Sequence, residues 1–183
     1  MQAHAQAVVI GGGVIGCSVL YHLTKAGWTD VVLLERSELT SGSTWHAAGG
    51  MHTINGDPNV AKLQQYTIEL YNEIEELPEQ SIGLHLTGGV FLAATKERFD
   101  WLKSMHAKGH YLGMDTEIIS PKEAADIFPL LDPDKFVGAM SDPLEGHLDP
   151  SGTTWAYAKA ARKSGAVIHQ QTRVTDLQQN QDG

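Results

Sequence analysis

Gly11, Gly13 and Gly16 stand in G-x-G-x-x-G spacing within AVVIGGGVIG, directly after an apolar run and directly before a segment of helical periodicity. No other feature restricts the fold as much. Such a turn is made where a buried parallel strand feeds straight into a helix. Gly11 permits the tight turn, Gly13 lets a pyrophosphate approach the backbone, and Gly16 lets helix and sheet pack closely. The helix start then offers free N–H groups and a positive dipole end, which together make an anion site. The pattern predicts a helix from about Val14 to Ala26 and a second apolar strand from Val31 to Leu34. Runs of β-branched residues and leucine of this kind fit a parallel sheet buried on both faces. Glu35 falls at the end of that strand, close to the spacing of about 20 residues at which an acid binds ribose hydroxyls. An acid there favours a free 2′-hydroxyl, hence NAD or FAD over NADP.

Downstream, Pro58 to Leu77 reads as a long helix carrying an acidic face of Glu69, Glu73, Glu75, Glu76 and Glu79. LHLTGGVFLAAT, TEIIS and FVGAMSDP read as strands, KERFDWLKSMHAKG and PKEAADIFPLL as helices, the latter with proline at its start. Phe99 and Trp101 are expected in a core. TTWAYAKAARKSG then forms a helix closed by Gly165, with Asp149 as a candidate cap, and a strand from Ala166 to His169 follows. The expected class is α/β. A Rossmann-like domain from residues 1–57 and 151–183 carries an inserted α+β segment, residues 58–150, on the substrate side. VTDLQQNQDG reads as an alternating strand ending in the Asp-Gly that opens a hairpin, whose return strand does not follow. The expectation is therefore the N-terminal part of a longer protein, incomplete at its C-terminus.

Composition narrows the partners. A formal net charge of −9 argues against nucleic acid, whose phosphates need a basic face. The apolar runs are too short for a membrane span. A single cysteine, Cys17, rules out an internal disulfide and a cysteine-built metal site; it reads as a small buried residue on a helix. His147 and Asp149 lack a third ligand at suitable spacing, and His85, His106 and His110 form no constellation, so no metal is expected. A cytoplasmic location is expected, with the mitochondrial matrix as the alternative.

The loop after Glu35 separates the two dinucleotides. A plain NAD domain follows its second strand with a short loop and a helix, whereas residues 37–50 form a long stretch of small residues, ending in SGSTWHAAGG. Ser43 and Thr44 are hydroxyl donors for phosphate or ribitol oxygens. Gly42, Ala47, Ala48, Gly49 and Gly50 allow a close backbone approach. Such a loop, with Trp45 and His46 in its middle, suits a flavin better than a nicotinamide.

These residues also carry a resemblance. AVVIGGGVIG, LLER, SGSTWHAAGG, IFPLLD, EGHLDP and SGTTWAYAKAARKSGA resemble the N-terminal part of the dimethylglycine and sarcosine dehydrogenases, members of the D-amino-acid-oxidase-like flavoproteins. The likeness covers essentially the whole chain, and the Trp-His loop is its most specific element. It implies FAD bound covalently through His46, with Val14, Ile15, Glu35, Arg36 and the loop Gly42 to Gly50 at the flavin cofactor and the Val174 backbone at the adenine. Where such enzymes carry leucine, this chain has Gly50. The implied reaction is hydride transfer from an N-methyl carbon of dimethylglycine or sarcosine to the flavin, followed by hydrolysis or capture by tetrahydrofolate. The residues that would catalyse it, and any folate region, are expected beyond Gly183, so the 183 residues alone are expected to show no turnover. The electron acceptor is left open. Two alternatives stand beside this reading: an amine or amino-acid oxidase with noncovalent flavin, and a noncatalytic flavin-binding regulator.

Overall fold

The computed structural model describes residues 4–76 and 80–179. The chain divides into two compact units, one of residues 1–49, 74–83 and 149–183, the other of residues 50–73 and 84–148.

The first unit holds a parallel three-stranded sheet in the order β1-β2-β8, from Ala7–Ile10, Val31–Leu34 and Val167–His169. Ala7 pairs with Val31 and Ile10 with Leu34, while Leu34 also pairs with His169. All three strands therefore end together, and the crevice outside such carboxyl ends is where open α/β sheets bind ligands. Two helices, α1 (Val14–Lys25) and α5 (Pro150–Lys163), lie side by side, with Tyr21 against Tyr157 at 5.3 Å between ring centres. Cys17, Leu20, Leu33, Ala158 and Ala161 are fully buried there. Burial pushes the Cys17 thiol up to about 12, so it remains an inert packing group.

The βαβ start and the resumption of the sheet at β8 match the sequence reading. Burial of β1 on both faces does not: Val8 and Ile10 are 51% and 53% exposed, whereas Val31, Val32 and Leu33 of β2 are buried. The reason is position, since among the described residues β1 is an edge with one neighbour and β2 is the centre. Nor does a strand form over residues 174–179, where no partner ladder is present among the described residues; the Asp182-Gly183 turn read at its end lies outside those residues. Asp149 caps α5 as expected, its Oδ1 accepting from Ser151 N–H at 2.9 Å.

In the second unit the antiparallel sheet runs β4-β6-β5, from Gly89–Ala93, Gly138–Asp142 and Glu117–Ile119. Helix α3 (Lys96–Tyr111) packs on it through Leu102 against Ala93 and Met140, with Ile54, Phe91, Phe99 and Ile118 around them. Gly138 is required here, because a Cβ would overlap the Phe99 ring. Trp101 is not core: it is half exposed, with the Arg98 guanidinium 4.0 Å from its ring centre. Helix α4 (Pro121–Ile127) opens with a capping box between Ser120 and Glu123. A short ribbon pairs β3 (Gly50–Met51) with β7 (Gly146–His147), and His85 bridges to His147.

Helix α2 runs Pro58–Glu75. Glu69 and Glu73 are exposed on it, as a solvated face requires, but Glu75 accepts from Ser81 Oγ and Ile82 N–H. Leu77 and Glu79 lie outside the described residues. Among those residues no helix is long and apolar enough to cross a membrane.

Candidate functional site

The glycine turn leaves β1 beside the end of β2, tied by Gly11 N–H to the Leu34 carbonyl at 2.9 Å. Gly11 sits at φ +108°, a conformation that strongly favours glycine. A Cβ on Gly16 would lie 1.9 Å from the Gly11 carbonyl oxygen, so the close approach assigned to Gly16 is real. Gly12, which the glycine spacing leaves as a free position, is just as constrained: a Cβ there would overlap Leu39 and Glu35.

Glu35 is buried, and both its carboxylate oxygens are engaged by backbone. Oε2 accepts from Gly12 N–H at 2.6 Å and Oε1 from Ser37 N–H at 2.7 Å. The acid read as a ribose partner thus also knits the glycine turn to the loop after β2. Each oxygen keeps a second lone pair for a ribose hydroxyl. Arg36 beside it is exposed.

The loop folds back onto the helix start. Thr40 N–H donates to the Gly12 carbonyl at 3.0 Å, with Thr40 itself at φ +73°. Residues Thr44–His46 make one turn of 3-10 helix. Thr44 is buried there, and its hydroxyl accepts from Val14 N–H at 2.9 Å. Gly13, the N-cap of α1, brings no capping side chain, and the first turn holds no acid. The first turn of α1 thus carries no acid of its own, and the carboxylate nearest to it, Glu35, is held on Gly12 N–H just before the N-cap. Because its oxygen is the acceptor in the bond from Val14 N–H, the Thr44 hydroxyl keeps its own proton to donate. Ile15 is exposed on the same turn.

Trp45 is 60% exposed and His46 is exposed beside it, ring centres 4.2 Å apart. His46 Nδ1 lies 3.1 Å from the Gly42 carbonyl oxygen. A carbonyl only accepts, so Nδ1 is the donor, and a neutral ring so held would have its lone pair on Nε2. Ser43, Ala47 and Ala48 are exposed, and Gly49 takes φ +75°. At Gly42 an added Cβ would meet nothing within 4 Å, so protein packing does not demand that glycine. Gly50 is equally open, its nearest neighbour at 3.9 Å. A cradle of small residues facing open space, a helix start whose N-cap brings no side chain and a carboxylate at the strand end fit a dinucleotide.

Three contacts that no local pattern announces hold this loop from the far end of the chain. Thr172 N–H donates to the Glu35 carbonyl, Gln171 N–H to the Ser37 carbonyl, and Leu39 N–H to Gln170 Oε1 at 2.8 Å. Val174 follows two residues later and is half-buried. Sequence reasoning placed Val174 at the cofactor but missed Gln170, the residue whose side chain reaches the loop.

The parallel sheet with this glycine turn defines a dinucleotide-binding α/β fold of the flavoprotein kind. Residues 6–183 match the family model described as FAD dependent oxidoreductase, and the chain belongs to that family. It is 42% identical over 179 residues to the mitochondrial dimethylglycine dehydrogenase of Rattus norvegicus, covering 98% of this chain and 21% of that protein. It is 38% identical over 174 residues to the mitochondrial pyruvate dehydrogenase phosphatase regulatory subunit of Mus musculus, covering 95% of this chain and 20% of that protein. Among solved structures, L-proline dehydrogenase from P. horikoshii superposes with a TM-score of 0.93 at 28% identity, over 100% of this chain and 48% of that one. The chain thus spans about a fifth of the length of these curated relatives and about half of that solved structure.

Proposed function

We propose that this chain is the FAD-binding, N-terminal part of an oxidoreductase that demethylates an N-methylated glycine, dimethylglycine or sarcosine, and that His46 anchors the flavin covalently. The observation that carries the reading is the 3.1 Å contact of His46 Nδ1 with the Gly42 carbonyl oxygen, in which Nδ1 is the donor and the exposed ring is left with Nε2 as its nucleophile when neutral. The 42% identity to a dimethylglycine dehydrogenase supports the substrate class.

Bound flavin supplies the acceptor for the hydride removed from the substrate. The chain's own residues position it. The N-terminal turn of α1 and the Thr44 hydroxyl hold the pyrophosphate, Glu35 accepts from ribose hydroxyls, and Gly42 to Gly50 let the backbone approach the ring system. Val14, Ile15, Arg36, Trp45 and Val174 complete the cofactor contacts. The mitochondrial relatives favour the matrix over the cytoplasm as its compartment.

A second reading rests on a specific observation, the 38% identity to a phosphatase regulatory subunit. In it the same fold binds flavin without turning over an amine. One experiment on the full-length product separates the two. The protein is acid-precipitated and its flavin fluorescence read in a denaturing gel, wild type beside His46→Ala, and dimethylglycine is added to the native protein. Fluorescence that stays with wild type and vanishes in the variant, with bleaching by dimethylglycine, is the expected result. Acid-released flavin in both proteins overturns the covalent anchor, and absent bleaching with both dimethylglycine and sarcosine overturns the catalytic reading.

A further inference from the structure

The three histidines read as forming no constellation, His85, His106 and His110, join His147 in two pairs. His85 stacks on His147, ring centres 5.0 Å apart, with no hydrogen bond to either ring among the described residues. His106 and His110 differ. They lie one turn apart in the last two turns of α3, on one helix face, with ring centres 4.2 Å apart.

Both rings are held by one residue. His110 Nε2 lies 2.9 Å from the Thr116 backbone oxygen and His106 Nδ1 lies 3.0 Å from the Thr116 hydroxyl. The carbonyl only accepts, so Nε2 of His110 carries the proton and its Nδ1 holds the lone pair. The hydroxyl accepts as readily as it donates, so rotation of one O–H bond suffices to leave the lone pair of His106 on Nε2. Thr116 is fully buried and anchors the start of β5, so its oxygens are fixed. A histidine that binds a metal through one nitrogen characteristically gives the other to a carbonyl or comparable acceptor, which sets tautomer and ring orientation. Thr116 supplies both acceptors.

We propose that His106 and His110 form a two-imidazole site for a divalent first-row transition ion, Zn2+ or Cu2+, at the corner between α3 and β5. Two histidines four residues apart on a helix are the spacing that places both rings on one ion. One ion at about 2.0–2.1 Å from each nitrogen bridges rings this close. The ion sits at the C-terminal end of α3, where the helix dipole favours a cation, and Asp115 and Glu117 flank Thr116 in sequence. Among the described residues no set of three or more His, Cys, Asp or Glu side chains converges, so the site is a bidentate clip and water fills its other positions. Imidazole donors select Zn2+ and Cu2+ over Mg2+ and Ca2+. A bound ion would cross-link the end of α3 and stiffen its junction with β5.

The test is calorimetric titration of the full chain with ZnCl2 and CuCl2, with MgCl2 as the negative probe. Wild type is expected to bind Zn2+ and Cu2+, the His106→Ala/His110→Ala variant to lose that binding, and the His85→Ala/His147→Ala control to keep it. Thr116→Val deletes the hydroxyl at nearly constant shape and is expected to weaken binding about 10-fold, since its role is positioning. Imidazole 15N shifts on wild type need no substitution: His106 and His110 should move together on adding Zn2+. The proposal is overturned if wild type binds neither ion, if the His106/His110 variant binds as wild type does, or if Zn2+ moves other histidines and leaves these two in place.

Discussion

The Glu35 carboxylate and the Gly12 N–H, 23 residues apart in sequence, meet in a buried hydrogen bond of 2.6 Å. With Ser37 N–H on its other oxygen, Glu35 ties together the glycine turn and the loop that carries His46. Any ribose contact is made by a carboxylate already oriented by the protein.

Glu35→Gln should therefore harm the apoprotein. An amide turns one acceptor into a donor, so either Gly12 N–H or Ser37 N–H faces an NH2 group. Leaving a buried donor unmet costs about 1–3 kcal/mol. The check is urea unfolding of the flavin-free chain; an unchanged midpoint would show that Glu35 serves the ribose alone.

Two glycines of the site should answer oppositely to alanine. Gly16→Ala places its Cβ 1.9 Å from the Gly11 carbonyl oxygen, an overpacking worth about 1–3 kcal/mol. Gly42→Ala meets open space and should leave the apoprotein's stability as it is while reducing flavin loading. Thermal unfolding beside flavin content measures both. Full loading of Gly42→Ala would show that nothing approaches the backbone at that position.

A buried carboxylate in the second unit makes a sharper prediction. Asp142 is 1% exposed, its Oδ2 receives the Thr53 hydroxyl, and its Oδ1 accepts from Leu144 N–H at 3.0 Å. Thr53→Val keeps the shape and deletes one donor, leaving a buried charge half-served at a cost of about 2 kcal/mol or more. Thr53→Ser retains the hydroxyl and should lose much less. Denaturant midpoints of the two variants decide it, and equal losses would assign the effect to packing at Thr53.

What the sequence made legible follows chain distance. The βαβ start and the Asp149 cap are read correctly because strand, turn, helix and cap all lie within a few residues of one another, whereas the equally local Ser120–Glu123 capping box is passed over for the proline beside it. The antiparallel middle sheet was legible only as strands, since nothing local says that β6 lies between β4 and β5. Gln170 and Leu39, 131 residues apart, have no local signal at all. Trp101 was misplaced because an aromatic on a helix looks like core until a neighbour such as Arg98 covers its face instead. No strand forms over residues 174–179, since a strand exists only where a partner takes up its hydrogen bonds.

The last prediction concerns pH and the pair Glu145 and His52, 93 residues apart, joined at 3.1 Å between Glu145 Oε1 and His52 Nδ1. Burial is the largest influence on Glu145 and pushes its pKa up. The hydrogen bond and charge of His52 pull it down, the nearby Asp142 pushes it up again, and the Thr53 N–H opposes; burial wins. A carboxyl whose pKa rises on folding binds more protons folded than unfolded in the interval between its two values. Stability contributed by Glu145 is thus present below its unfolded-state pKa and falls as pH rises towards the folded value, the reverse of an ordinary salt-bridged carboxylate. Glu145→Gln cannot titrate. Urea midpoints of wild type and variant, compared upward from about pH 4, the ordinary carboxylate range, should show wild type losing ground to the variant as pH rises and the difference levelling off above the folded pKa. A difference that stays constant, or that grows in favour of wild type, would mean that the contact with His52 outweighs burial and that Glu145 stays ionised in the fold.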